Sequence, residues 1–407
     1  LSFIILLFAF CNVKAQYTCI WAGGSSGSWN NPGNWTVSGA SGVSYPGNSY
    51  TNDIADINTS TSISVSALSQ GSIATLNIAN GVTVTLTFAP GMTFMITGTT
   101  TVGTTSAATL NLDGPGVVTG TSAITLNASS TLTSNTTCSI TAASLTLAGS
   151  NTATLNGGTT LSGAITANGT ATIAGSATVS AASMSLTSSS TLTENANITL
   201  SGATTISNNF TPTVTVGSGY TLTIGGGIMV GNWLASGITF AGTGTESVSG
   251  TSTFDQYCTL AVNSGNTLKF NASSSINFSN YCSLTNGGTV TGATCSFTLN
   301  GNNNFISNSG TFAFTGGSVN FTSGSTGAYI TNTGTFTIAS TCTLTLGNNY
   351  EYFSNSGTFT ATSSTLNMSG SQAYIWNNNG ATFKATATTF DFGNDNYIKN
   401  FYGATFT

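Results

Sequence analysis

Tyr329-Ile330-Thr331-Asn332-Thr333-Gly334-Thr335-Phe336 returns 23 residues later as Tyr352-Phe353-Ser354-Asn355-Ser356-Gly357-Thr358-Phe359. Looser copies follow at Tyr374-Ile375-Trp376-Asn377, closed by Gly380 and Phe383, and at Tyr397-Ile398-Lys399-Asn400, closed by Gly403 and Phe406. The unit has no helical period and is too short for a helix. Its β-branched and aromatic residues, broken by Gly, Asn and Ser, read as short strands joined by turns.

From Phe254 onward the unit recurs every 22 to 24 residues, and its positions align in columns. One aromatic column runs through Tyr257, Tyr281, Phe305, Tyr329, Tyr352, Tyr374 and Tyr397, and the next position gives Cys258, Cys282, Ile306, Ile330, Phe353, Ile375 and Ile398. Asn308, Asn332, Asn355, Asn377 and Asn400 form a third column, with Asn263 and Asn286 one or two places further along. Past the glycine come Val290, Phe312, Phe336, Phe359, Phe383 and Phe406. A later strand contributes Phe297, Val319, Leu344, Leu366 and Phe390. The Tyr, Ile, Asn and Phe columns are read as internal stacks, the Asn amides bonding along the stack as in cross-β assemblies.

Towards the N-terminus the period shortens to about 20 residues, and a Thr-x-Thr column replaces the aromatic one. It passes through Thr131/Thr133, Thr152/Thr154, Thr170/Thr172, Thr191/Thr193 and Thr213/Thr215, with Leu132, Ala153, Ala171, Leu192 and Val214 between. Such alternation puts hydroxyls outside and aliphatics inside. Three short strands per 20–24 residues is one coil of a parallel β-helix. The expected fold is therefore all-β, a parallel β-helix (β-solenoid) wound right-handed by the rule for parallel crossovers. About fifteen coils at the ~4.8 Å strand spacing make a rod of about 70 Å. A propeller needs a period of ~40–50 residues. The expected divisions are a signal peptide at 1–15, an N-terminal cap at 16–50, ~20-residue coils at 51–253 and ~23-residue coils at 254–407.

Only 3% of the 407 residues are charged, against about 25% in an ordinary domain. Arg and His are absent. Binding to nucleic acid, which needs clustered Lys and Arg, is not expected. The apolar run Leu1 to Phe10, followed by Val13-Lys14-Ala15, reads as a cleaved secretory signal, too short to span a bilayer. The mature chain is thus expected to be secreted or on the cell surface, with no transmembrane segment. Export permits disulfides, and Cys258 and Cys282, on neighbouring coils, are either bonded or two buried thiols. No CxxC metal pattern is present.

Residues 16–50 stand apart. They hold Trp21-Ala-Gly23-Gly24, Trp29-Asn-Asn-Pro32, Asn34-Trp35 and Tyr45-Pro46-Gly47, followed by Asp53-Ile-Ala-Asp56-Ile57. Over 17–57 this resembles the tryptophan-rich N-terminal module of large secreted and surface proteins of Bacteroidota-type bacteria, in which it precedes a β-helix. The resemblance implies an adhesin-like extracellular protein. The tryptophans either cap the open end of the stack or stack on sugars.

β-Helices that cleave polysaccharides resemble one another in using clustered carboxylates, or Ca²⁺ with Arg or Lys. Here the best acidic pairs are Asp53/Asp56 and Asp391/Asp395, and the stretch Asp391 to Asn396 is at most a weak Ca²⁺ loop. Both are read as turn residues. Glu194, Glu246, Asp113, Asp255 and Glu351 are isolated. No catalytic, metal or cofactor site is assigned. The expectation is a non-catalytic structural or adhesive rod, with partners among glycans or copies of itself. The alternatives are a polysaccharide-binding or polysaccharide-degrading β-helix and an ice-binding solenoid, whose candidate face is the ten threonines above. The chain is also expected to be truncated after Thr407.

Overall fold

A computed structural model of the chain describes residues 16–39, 43–120, 122–231, 235–322 and 327–407. The expected signal peptide lies outside the described residues. The rest is a β-solenoid of about 15 stacked parallel coils, with no α-helix among the described residues.

A typical coil holds three strands, such as Tyr352–Asn355, Thr358–Thr362 and Thr365–Met368. First strands stack on first strands in one parallel sheet. Second and third strands stack likewise and together form a 32-stranded sheet. They belong to one sheet because Thr289–Leu299 and Thr311–Phe321 run unbroken around the corner between them. Alternation fills the interior: Ile330, Phe336, Ile338, Leu344 and Leu346 of one coil are all buried. The Phe column is in register as read, Val290 on Phe312, then Phe336, Phe359, Phe383 and Phe406.

Turns hold their shape by close backbone approach. A Cβ on Gly357 would sit 2.2 Å from the Gly334 carbonyl oxygen, so the glycine of the unit is required by contact with the coil before it.

The N-terminal strand Thr18–Trp21 pairs parallel with Ile54–Ile57 and antiparallel with Trp35–Ser38. That antiparallel ribbon lies at the end of the stack. Trp21, Trp29 and Trp35 are buried and meet edge-to-face, Trp29 reaching Phe94 at 5.1 Å between centroids. Each indole N–H donates to a backbone carbonyl, of Gly24, Pro46 and Trp29 respectively. All three are packed inward and offer no surface for sugar stacking.

Candidate functional site

The outward face of the first-strand sheet carries both features that the sequence singled out. In its N-terminal half Thr109, Thr131, Thr152, Thr172, Thr193 and Thr215 stand in one row, one per coil. Thr133 pairs with Thr154, and Thr191 with Thr213. The expected column is broken at one coil. Thr172 lies beside Thr152 on one side but beside Thr193 on the other, so the pattern steps sideways by two residues. Thr170 consequently falls in an exposed bend outside the strand Ala171–Ala174, and Ala174 takes the place beside Thr154. The shorter coil leaves no room for Thr170 in the strand, a shift that a column drawn on Thr-x-Thr alone does not register.

In the C-terminal half the same face bears Phe305, Tyr329, Tyr352, Tyr374 and Tyr397, paired coil on coil. Their rings stack nearly parallel at 5.0 to 5.6 Å between centroids. This corrects the reading of the tyrosines as internal. Neighbouring residues of a strand face opposite ways, so with Ile330 and Asn332 buried, Tyr329 and Thr331 must point out. Tyr257 and Tyr281 belong to a different place, a separate stacked pair in the turn, because Phe305 pairs with Ser283. Each stacked ring covers its neighbours' faces, so the ladder presents ring edges and phenol oxygens to solvent. Partial burial, and next the neighbouring phenols, raise the Tyr352 and Tyr374 hydroxyls above the ordinary tyrosine value. Replacing Tyr352 by Ser is expected to cost about 2 kcal/mol, the loss of three stacked contacts, to Tyr329, Tyr374 and Trp376, read as a lower denaturant midpoint.

The acidic residues are placed differently from their sequence reading. Asp53 is buried, with Oδ2 accepting from the Gly47 N–H at 3.0 Å, whereas Asp56 faces outward. Asp391 and Asp395 are exposed. Asn396 beside them is already engaged, donating to the Gly370 carbonyl at 2.8 Å and accepting from the Ala373 N–H at 2.7 Å. Several residues read as isolated have partners. Glu351 accepts from the Asn348 backbone and side chain, both at 3.1 Å, and Asp113 accepts from Asn135 Nδ2 and the Gly114 N–H.

Glu194 and Glu246 are the acids that sequence reading undervalued. Both are wholly buried, one on a first strand and the other on a second strand two coils further along. Parity carries the signal, since Leu192 faces inward and so must Glu194, and likewise Val248 and Glu246. Glu246 Oε1 accepts from Asn266 Nδ2 at 3.0 Å; its Oε2 and both oxygens of Glu194 have no hydrogen-bond partner among the described residues. Burial pushes the Glu246 carboxyl up to about 8, and burial together with Glu246 pushes Glu194 well up as well. In both, burial favours the protonated, neutral acid over the carboxylate. No group of three or more metal-binding side chains converges among the described residues.

The six cysteines among the described residues are buried free thiols, Cys258 and Cys282 included. Burial pushes Cys295 and Cys342 up to about 12 and Cys138 to about 11, and the hydrogen bond between Cys258 and Cys282 raises Cys258 while lowering Cys282. Since the thiolate is the nucleophile and all six described thiols, Cys282 included, are buried away from reagent, the folded chain is expected to react with a thiol-directed reagent at pH 8 over 100-fold more slowly than the denatured chain. Fast labelling of the folded chain would show that the coils open.

No family model, curated protein or solved structure matches this chain. Among the described residues no helix is long and apolar enough to cross a membrane.

Proposed function

We propose that the chain is a non-catalytic rod, secreted or held at the cell surface, with a structural and adhesive role. The observation that carries this reading is the single outward face on which hydroxyl rows give way to stacked phenols. Threonine hydroxyls, amides and tyrosine oxygens in a repeating array suit contact with hydrated polymers such as glycans, where many weak contacts add along the rod. A chain with only 3% charged residues also keeps repulsion between neighbouring rods small. The apolar run Leu1 to Phe10, read as an export signal, and the resemblance of residues 17–57 to surface-protein modules point the same way.

The mature chain coated on beads is expected to be retained on insoluble polysaccharides. The triple variant Tyr329→Ser, Tyr352→Ser, Tyr374→Ser should lose retention several-fold while staying folded. Release of sugar from any polymer would overturn the non-catalytic reading. A second reading, ordering of ice-like water, draws on the row from Thr109 to Thr215. The two-residue step at Thr172 interrupts the second row that a flat lattice needs, so adhesion is favoured. Thermal hysteresis that disappears in Thr152→Tyr would reverse that preference.

A further inference from the structure

A groove of about 490 Å³ opens on the third-strand face of the first coils, away from the hydroxyl–phenol strip. Its length follows one outward row in which Ile20, Asp56, Asn77 and Thr101 are paired in turn across adjacent strands. Successive members of the row are therefore about 4.8 Å apart. Asn58 stands exposed at the rim, and Ile20 and Ala79 give the groove half-exposed apolar surface.

The polar groups are arranged. Asn77 Nδ2 donates to Asp56 Oδ1 at 2.7 Å. That bond fixes which end of the amide points where, so the Asn77 side-chain oxygen is turned away from Asp56. It leaves Asp56 Oδ2 and Asn77 Oδ1 as two acceptors on neighbouring coils, with the Thr101 hydroxyl next in line. Asp56 makes no ion pair among the described residues. The acid closest in sequence, Asp53, is inside the core and bonded to Gly47, so the groove carries one carboxylate and not a cluster.

This set discriminates between ligands. Ca²⁺ takes six to eight oxygens and favours several carboxylates, and one carboxylate with one amide oxygen falls short. A ligand with adjacent hydroxyl donors and a C–H face uses everything present: two fixed acceptors, a hydroxyl that gives or takes, and an apolar wall. The volume lies within the range of small-molecule sites, whose orientation is set by a few placed polar groups on an apolar lining. We propose that this groove is a saccharide site in which Asp56 and Asn77 accept hydrogen bonds from adjacent hydroxyls of one sugar unit. The site is separate from the adhesive strip and stands or falls independently of it.

The test is a titration of the mature chain, followed by ligand-observed NMR, with methyl glucoside, methyl galactoside, methyl mannoside and N-acetylglucosamine. It is run on the wild type and on the triple Tyr→Ser variant, so that loss of the strip is told apart from loss of the groove. At least one sugar is expected to bind both equally. Asp56→Asn, close in shape, and Asn77→Ala should each weaken that sugar at least tenfold. Thr101→Tyr, an outward substitution that fills the groove without touching the core, should abolish its binding. Unchanged affinity in all three groove variants overturns the proposal, as does absence of binding by the wild type. Binding of CaCl₂ or an alkylammonium salt in place of any sugar overturns it too.

Discussion

The stability of the rod is expected to fall as pH rises from 5 to 9, and the loss should concentrate in the coils that hold Glu194 and Glu246. Both carboxyls are buried with oxygens that no donor among the described residues reaches. For Glu246 the folded value is about 8 against an ordinary 4.5. A raised carboxyl binds its proton more tightly when folded. Its contribution is complete below the unfolded value of 4.5 and is lost as pH rises through about 8. At ~1.4 kcal/mol per pH unit, the loss from Glu246 alone is on the order of 5 kcal/mol, and Glu194 shifts in the same direction. Column neighbours supply the decisive variants. Glu246 lies between Leu222 and Leu268, and Glu194 between Ile173 and Val216. Glu246→Leu and Glu194→Val would continue those apolar columns. In the first variant Asn266 Nδ2 keeps one bond, to the Ala241 carbonyl, and loses the partner of its second N–H, which offsets part of the gain. Replacing a buried ionisable group by a packed apolar one is often stabilising. The double variant should therefore be the more stable chain at pH 9 and show little pH slope between 5 and 9. Hydrogen exchange across residues 191–270 reads this directly, and an undiminished slope in the double variant would refute the assignment.

Much of the architecture was legible because the fold repeats its own test. One strand proves little, but Phe312, Phe336, Phe359 and Phe383 recurring at one step establish a column, and columns establish coils. What stayed hidden has two causes. The first is parity, which was available but not enforced: in Tyr329-Ile330-Thr331-Asn332 the tyrosine and isoleucine cannot share a face, and applying that rule moves the tyrosines outside and Glu194 inside. The second is register between coils of unequal length. A shorter or longer turn shifts the pairing without changing any local motif, which is how Thr170 left its row and how Tyr257 and Tyr281 came to be aligned with Phe305. The nearness of Glu194 to Glu246, two coils apart, and the groove around Asp56 both depend on such pairing, and neither has a signature within a single unit.

The largest local effect is expected from Asn332, at the middle of the buried amide ladder. Asn286, Asn308, Asn332, Asn355, Asn377 and Asn400 are linked in sequence, each Nδ2 donating to the next Oδ1 at 2.6 to 2.8 Å over steps of 22 to 24 residues. Asn286 belongs to the column without displacement, while Val262 occupies its place one coil earlier, leaving Asn263 outside the strand. The five amides from Asn286 to Asn377 also tie the first strand to the second: Asn332 Nδ2 donates to the Thr358 carbonyl at 3.1 Å, in the coil beyond. An amide is the one side chain that both gives and takes along such a row. Asn332→Leu removes a donor from Asn355 Oδ1 and from Thr358 and an acceptor from Asn308. With stranded buried groups costing about 1–3 kcal/mol each, and some of them retaining other partners, the loss should be about 3 kcal/mol and independent of pH. Asn332→Asp is nearly the same shape but turns an acceptor toward Asn355 Oδ1 and the Thr358 carbonyl. Ionised, it has oxygen against oxygen in a dry core, so it should cost above ~5 kcal/mol at pH 8 and markedly less at pH 4, where the protonated acid donates in place of the amide. Because each coil contacts only its neighbours, the damage should spread from 305 to 377 and leave the exchange rates of residues 54–200 unchanged. An Asn332→Asp chain as stable at pH 8 as the wild type would mean that the ladder merely fills space, and the coils are held by their phenylalanine stacks alone.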